Sequence, residues 1–148
     1  MKFCLWFILC LINYKILSKE ITIDIFFIAS SATVDVMKFG DELIYRQTKN
    51  TASWQDSEGD YGLIECMGNY ISKKNKGTTL NNYCKGTNRN SDTFWLTMFR
   101  NSNDYEAGVG QSEYVYGTGK FKNYEGVKCF YGIEILKDIA VLKQKCKL

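Results

Sequence analysis

The chain contains no histidine and no proline among its 148 residues. The lack of histidine excludes Ser-His-Asp and Cys-His triads, zinc sites of the HExxH type and the usual general base near neutral pH. The remaining acid–base groups are scattered carboxylates, lysines and tyrosines, and no GxSxG nucleophile motif occurs. The sequence therefore predicts no catalytic residue, no metal site and no cofactor. It favours a protein that is not an enzyme while leaving that question open.

Long apolar runs are also missing, except for one at the amino terminus. Met1 and Lys2 precede ten apolar residues at 3–12, a run shorter than the roughly 20 residues that a transmembrane helix needs. One positive charge followed by such a run is typical of a secretory signal peptide. We predict a signal peptide over residues 1–18, cut after Ser18, and a single domain over 19–148. A later cut within 29–32 and an uncleaved anchor are the alternatives.

Little net charge of either sign would remain on the mature chain. The full sequence has 19 basic and 16 acidic residues, a formal charge of +3, and residues 1–18 contribute Lys2 and Lys15 but no acid. The mature domain thus has 17 basic and 16 acidic residues, a formal charge of +1. Because it lacks a basic stripe, it is a poor nucleic-acid binder. Once the signal is removed, we expect no membrane partner either.

Six cysteines are present, and two of them, Cys4 and Cys10, fall in the predicted signal peptide. An even number of four then remains in an exported chain, which is typical of two disulfides in an oxidising compartment. The sequence therefore predicts a secreted or periplasmic protein.

In the predicted mature chain, the pattern of apolar and polar residues repeats every two residues, as in a β-strand. Short segments rich in β-branched and aromatic residues alternate with clusters of Gly, Asn, Asp and Ser. No long stretch has a helical apolar pattern, although residues 137–147 could form a helix. We predict an all-β fold, an antiparallel barrel of about eight strands, with a sandwich as the alternative. The predicted strands are 21–28, 33–39, 42–47, 62–72, 78–86, 93–100, 111–116, 127–136 and 139–146.

The register of the first predicted hairpin pairs its side chains by chemistry. With the turn centred on Asn75, Cys66 faces Cys84 and Glu65 faces Lys85. Cross-strand pairs of this kind contribute about 0.2–1 kcal/mol each, and a slip of one residue would lose them all. This register predicts a disulfide between Cys66 and Cys84, with the cysteine face inward.

A second hairpin, centred between Lys137 and Asp138, places Cys129 opposite Cys146. Lys-Asp is not a favoured two-residue turn, because such turns need positive φ angles. The pairing nevertheless puts the apolar side chains of Tyr131, Ile133 and Leu142 on the same face as the two cysteines. The sequence therefore predicts a second disulfide between Cys129 and Cys146.

Three short motifs have simple structural interpretations. Residues 117–120 (Gly-Thr-Gly-Lys) lack the first glycine and the Ser or Thr of a phosphate loop, and the sequence predicts no helix after them. Residues 56–60 have their glycine at the fourth position instead of the sixth position of a calcium loop. Residues 88–92 carry only one full negative charge among their acceptor oxygens. We interpret all three motifs as turns or bulges between strands.

Several aromatic side chains could line a ligand cavity inside the barrel, or could fill the core. The sequence does not decide which of Phe94 and Trp95 points inward, and residues 101–110 are the longest predicted loop and the candidate mouth. The candidate cavity-lining residues are Trp54, Tyr70, Trp95, Tyr114, Tyr116 and Tyr131.

Residues 86–126 combine a polar turn, an aromatic strand with Trp95, the sequence Gly-Thr-Gly-Lys-Phe at 117–121, and Gly126 five residues later. This segment resembles small exported bacterial proteins related to the allene oxide cyclase and dirigent barrel superfamily. The resemblance implies an eight-stranded antiparallel barrel in which Gly117, Gly119 and Gly126 are turn glycines that mark the fold. Asn88 replaces an acid that is common there, and no cyclase catalytic residue maps onto this chain.

Three functions remain open at this stage. The first is an exported, disulfide-stapled barrel that binds a small molecule, a hydrophobic one being the candidate partner, or that serves as a structural module. The second is a cyclase- or isomerase-type enzyme with an apolar cavity, and the third is an exported protein-interaction or inhibitor module. The oligomeric state does not follow from the sequence.

Overall fold

The computed structural model describes residues 19–28, 33–137 and 139–148. The predicted signal peptide, the second cleavage region at 29–32 and Asp138 therefore lie outside the described residues. The elements of the described part are β1 Glu20–Ile28, β2 Thr33–Phe39, β3 Leu43–Asp56, β4 Tyr61–Lys73, β5 Gly77–Asn88, β6 Thr93–Ser102, β7 Ala107–Gly117, a 3₁₀ helix Gly119–Tyr124, β8 Lys128–Leu136 and β9 Ile139–Lys147.

The strands form one antiparallel sheet in the order β1-β9-β8-β7-β6-β5-β4-β3-β2, and a further pairing of β1 with β3 closes it. Eight strands thus make a closed barrel, and β2 is an additional strand outside the closure. The predicted all-β fold, an antiparallel barrel of about eight strands, is confirmed. Closure protects strands from edge-to-edge association, because a closed sheet has no edge.

Strand β3 divides one of its edges between two partners. Residues Ser53–Asp56 pair with β1, from Ile23 to Phe26, and so close the barrel. Residues Leu43–Lys49 pair instead with β2, from Thr33 to Phe39. The first half of β3 and the whole of β2 therefore form a hairpin that extends beyond the closed barrel.

Both predicted disulfides are present, in the predicted registers. Cys66 faces Cys84 across β4 and β5, and Cys129 faces Cys146 across β8 and β9. Glu65 also lies opposite Lys85 on the outer face. Each disulfide joins two consecutive strands, and both lie on the inner face of the barrel.

The barrel interior is filled mainly by aromatic and aliphatic side chains. Trp54 and Phe94 contact each other with ring centroids 5.4 Å apart, and Phe121 from the 3₁₀ helix packs 4.8 Å from Phe94. Tyr114 lies 5.4 Å from Phe94 and is fully buried. Edge-to-face packing of this kind stabilises a core beyond the area that it buries.

One strand and one loop differ in length from the sequence-based expectation. Strand β3 continues to Asp56, although no strand was predicted beyond Gln47, because its second half alternates inward residues such as Ala52 with exposed polar ones such as Ser53. A strand made largely of small and polar residues is difficult to predict from sequence, since many of these residues have low β propensity. The prediction of a long loop at 101–110 was also wrong, because β6 and β7 leave only 103–106 between them.

Candidate functional site

One end of the barrel, here called the closed end, is sealed by a buried ion cluster. Nζ of Lys120, in the 3₁₀ helix, lies 2.9 Å from Oδ2 of Asp56 and 2.7 Å from Oδ2 of Asp60, at the two ends of the β3–β4 turn. Asn88 donates a hydrogen bond from Nδ2 to the same Asp60 oxygen at 2.9 Å. The turn at 56–60 thus binds a lysine of the same chain, which agrees with its interpretation as a turn.

The protonation of this cluster follows from its contacts. Burial alone would raise the pKa of Asp60, but the hydrogen bonds from Lys120 and Asn88 outweigh it, so that the pKa lies below its ordinary value of 3.8. Burial would lower the pKa of Lys120, yet its bonds to Asp60 and Asp56 hold that pKa above 10.5. Asp60 and Lys120 are therefore charged at neutral pH, and their ion pair holds the helix against the barrel.

The three predicted turn glycines lie around this helix. Gly117 ends β7, where a Cβ atom would overlap the backbone of Phe121. Gly119 has a φ of +52°, and a Cβ atom there would overlap the Asp92 carboxylate, whereas Gly126, with a φ of +79°, has open space around it. The residues at 117–120 form a turn into a 3₁₀ helix, which the sequence did not predict.

The opposite end of the barrel opens into a polar cleft of about 960 Å³, here called the mouth cleft. It lies between the β2–β3 turn, the β4–β5 turn and the short β6–β7 loop. Acidic and basic side chains both reach it, so its charge is mixed. Residues that line it include Glu42, Ile44, Lys74, Thr78, Asp104 and Tyr105.

Beneath the mouth cleft, the interior holds a cavity of only about 30 Å³. Tyr70 and Tyr131, two of the six predicted lining residues, line it together with the Cys66 side of the first disulfide. Trp54 and Tyr114 are buried but belong to the aromatic core and do not line the cavity. A space of this size holds about two water molecules, whereas benzene needs about 150 Å³.

Trp95 and Tyr116 lie on the outer face of the barrel, so their placement as cavity-lining residues was wrong. The register between β6 and β7 shifts after Trp95: Trp95 pairs with Tyr116, but Leu96 pairs with Tyr114. The extra residue Val115 forms a bulge that places Tyr114 inside and Tyr116 outside. In a regular strand, residues two positions apart lie on the same face. The Trp95 and Tyr116 rings pack 5.0 Å apart on the outer face, and Phe94 is the residue that points inward.

The most unusual residue of this end, Arg100 on the inner face of β6, was not predicted from the sequence. Arg100 is 1% exposed, and its Nη2 donates to the backbone oxygen of Tyr105 at 2.7 Å. Its Nε and Nη1 atoms have no hydrogen-bond partner within the described part of the chain. The alternation of the strand could have indicated its burial, because Arg100 follows Phe94, Leu96 and Met98 at two-residue intervals on the same face.

The β6–β7 loop covers Arg100 with an aromatic side chain. The ring of Tyr105 packs 5.1 Å from that of Tyr70, and the Arg46 guanidinium carbon lies 4.9 Å from the Tyr105 ring centroid. Tyr105 therefore separates the mouth cleft from the inner face of the barrel. Its ring packs between Tyr70 and Arg46, while its backbone oxygen accepts a hydrogen bond from Arg100.

The two cavity tyrosines keep their hydroxyl protons at neutral pH. Burial raises the pKa of Tyr70 to about 12, and burial also raises the pKa of Tyr131. The positive charge of Arg100 lowers both pKa values, but by less than burial raises them. Neither hydroxyl acts as a base under physiological conditions, so each can only donate or accept a hydrogen bond as a neutral group.

The comparisons give no relative from which a function could be transferred: no protein-family model, no curated protein and no solved structure matches this chain. Within the described residues, no group of three or more metal-ligating side chains converges, and none of the helical segments could cross a membrane. The mouth cleft, with Arg100 below it, is therefore the candidate site.

Proposed function

We propose that this chain is an exported, disulfide-stapled barrel that binds a small molecule at its mouth cleft. The observation that carries the proposal is the asymmetry of the barrel. The closed end is sealed by the 3₁₀ helix and by the ions of Lys120, Asp56 and Asp60, while the other end opens into a cleft of about 960 Å³. Ligand sites of barrels commonly lie in such mouths, where rigid strands hold short loops.

The interior itself limits the choice of ligand. A hydrophobic molecule as large as benzene needs about five times the 30 Å³ enclosed below the mouth cleft. Binding of a hydrophobic ligand inside the barrel stays a prediction, and it would require the interior cavity to expand. We propose instead that the bulk of the ligand remains in the mouth cleft, among polar and aromatic side chains.

Binding can be tested by NMR titration of the ¹⁵N-labelled mature protein with a library of polar and aromatic small molecules. The proposal predicts that ligands shift the backbone signals of Thr78, Asn103 and Tyr105, at the mouth cleft. The signals of Gly119 and Phe121, at the closed end, serve as the internal control and should not move. Shifts confined to the outer face, or none with any compound, would contradict the proposal.

Export is the second part of the proposal, and the two disulfides support it because they suit an oxidising compartment. Expression of the full chain with a secretion pathway, followed by intact mass measurement and non-reducing peptide mapping, tests it. We expect a chain beginning at Lys19, with Cys66 linked to Cys84 and Cys129 linked to Cys146. Retention of Met1 together with free thiols would exclude export.

A second candidate function, that of a protein-interaction module, rests on β2. Val36, Met37 and Phe39 are 52%, 57% and 55% exposed, and apolar side chains thus protrude from both faces of this strand. β2 pairs with β3 on one edge, and its other edge is unpaired within the described residues. An unprotected edge of this kind is a template for strand addition.

The partner that we propose for β2 is a second copy of the chain. A two-fold axis would place two identical edges side by side and join the two sheets into one. Analytical ultracentrifugation should then show a dimer for the wild type and a monomer for Met37→Lys. Val109→Lys, on the outer face of β7, is the matched control and should remain a dimer. A wild-type monomer at every concentration would rule out this second function.

A further inference from the structure

Arg100 is the buried charge for which the fold offers no explanation. It is the largest side chain of the fully buried set, and a guanidinium keeps its charge under all physiological conditions. An unpaired buried charge costs several kcal/mol, roughly, so such charges are normally paired or ligand-bound. Yet Nε and Nη1 have no partner among the described residues, and the single bond of Nη2 goes to a neutral backbone oxygen.

The neighbouring strand makes room for this side chain. Gly108 and Gly110 of β7 lie next to Arg100 on the inner face, and a Cβ atom on Gly108 would lie 3.2 Å from Cδ of Arg100. A Cβ atom on Gly110 would collide with the ring of Tyr131. The lack of a Cβ atom at these two positions leaves space for Ser102 and Arg100 beside Gly108, and for the Tyr131 ring and the Phe99 backbone beside Gly110.

Arg100 has one neighbour at each of the two spaces at this end of the barrel. On β6, the preceding inward residue, Met98, lines the interior cavity. On the other side, Arg100 binds the backbone of Tyr105, which lines the mouth cleft. Arg100 itself lines neither space, so a ligand in the mouth cleft reaches the guanidinium only when the Tyr105 ring moves aside.

We propose that Arg100 binds the carboxylate of a small aromatic acid. The inference rests on the proposed function and names its ligand class. The planar guanidinium matches a carboxylate in a bidentate arrangement. Arg46, a second cation in this region, lies over the Tyr105 ring and donates to Ser72, so Arg100 alone balances one negative charge and not the two of a dianion such as phosphate. Tyr105, which lines the mouth cleft and packs against Tyr70, supplies the aromatic surface against which the ring of the ligand packs.

The wild-type protein allows a direct test, because the chain contains only three arginines, at 46, 89 and 100. The three Nε–Hε signals can be followed by NMR during titration with sodium benzoate. We expect the Arg100 signal to shift and that of Arg89, at the closed end, to remain in place. Benzyl alcohol, which has the same ring without the charge, should bind at least about tenfold more weakly.

Two variants separate a ligand-binding arginine from a structural one. Arg100→Met should fold, should unfold at an equal or higher temperature without ligand, and should lose benzoate binding. The matched control Arg89→Met should bind benzoate as the wild type does. Tyr105→Ala keeps the backbone bond to Arg100 but removes the covering ring, so benzoate should associate faster. If Arg100→Met does not fold, the NMR shifts of the wild type and of Tyr105→Ala decide the question.

The outcomes distinguish this inference from the proposed function. If benzoate and benzyl alcohol bind the mouth cleft equally and the Arg100 signal does not move, the carboxylate inference is wrong while small-molecule binding stands. If inorganic phosphate shifts the Arg100 signal and benzoate does not, the ligand class is wrong. If no compound shifts any signal at the mouth cleft, the proposed function and the inference fail together.

Discussion

Lys120 and Asp56, sixty-four positions apart in the chain, meet at the closed end with Nζ 2.9 Å from Oδ2. The Asp56 side chain is 1% exposed there, and that of Lys120 is 31% exposed. A contact between such distant positions fixes the 3₁₀ helix over the end of the barrel, and Asp60 strengthens it from the far side of the same turn.

Removing the lysine should therefore destabilise the fold. Lys120→Met leaves two acids without their cation, and we expect the free energy of unfolding to fall by about 2–3 kcal/mol, because breaking a partly buried ion pair strands its partners. Lys122→Met, an exposed lysine of the same helix, is the matched control and should change stability by less than about 0.5 kcal/mol. Urea denaturation measures both variants, and equal effects would show that the ion cluster is not structural.

The same cluster predicts a loss of stability in acid. The pKa of Asp60 is lower in the folded state than its ordinary value of 3.8, so its contribution is present above that pH and is lost as the pH falls through the folded-state pKa. Asp60→Asn should flatten the stability profile between about pH 2 and pH 5. Asp35→Asn, on exposed β2, should leave the wild-type profile unchanged. A wild-type profile that is flat in this range would refute the expectation.

The glycines can be ranked by substitution with alanine. Gly119→Ala should cost about 2–3 kcal/mol, because it combines a left-handed backbone with overlap on the Asp92 carboxylate. Gly126→Ala meets open space and should cost only the backbone strain, about 1 kcal/mol. Gly132→Ala, which has neither problem, is the control and should be nearly neutral. Thermal unfolding of the three variants gives the order, and a different order would contradict it.

The two disulfides should contribute similarly to stability. Their sequence separations are 18 and 17 residues, so in the chain-entropy model each contributes about 3 kcal/mol. The double variants Cys66→Ser with Cys84→Ser, and Cys129→Ser with Cys146→Ser, should therefore show similar losses in urea denaturation. A loss confined to one pair would indicate that strain or packing, rather than loop closure, dominates.

Tryptophan fluorescence tests the placement of Trp95 outside the barrel. Trp54 is 2% exposed, whereas Trp95 packs against Tyr116 on the outer surface. In protein that lacks residues 1–18, and with them Trp6, iodide should quench the emission of Trp54→Phe, in which Trp95 remains. It should leave the emission of Trp95→Phe almost unchanged, because a charged quencher does not reach the buried Trp54. Equal quenching of the two variants would place Trp95 inside.

Strand pairing was predictable where the side chains of two neighbouring strands specify each other. Cys66 with Cys84 and Glu65 with Lys85 determine one register, and Cys129 with Cys146 determines the other, so both hairpins were predicted correctly. Face assignment failed at Tyr116 because one extra residue, Val115, reverses the alternation, and a bulge leaves no mark in a period-two pattern. The second half of β3 was missed because its polar and small residues resemble a loop.

The candidate site was harder to predict than the fold. Tyr70 and Tyr131 were correctly placed on the inner face, because each lies in a hairpin whose register is determined by a cysteine pair on the same face. Arg100 was overlooked because an arginine is expected at the surface, and its burial follows only from the closure of the barrel around β6. The resemblance to the allene oxide cyclase and dirigent barrels stays a prediction.

The order of the four cysteines along the chain has a consequence for how the protein is made. Synthesis proceeds from the amino terminus, so Cys66 and Cys84 are both synthesised before Cys129. If the chain is exported as proposed, the first two thiols of the domain to reach an oxidising compartment are thus the native pair, and the last two form the second pair. We expect oxidation during translocation to give the native connectivity directly, without a thiol isomerase to correct mispaired intermediates.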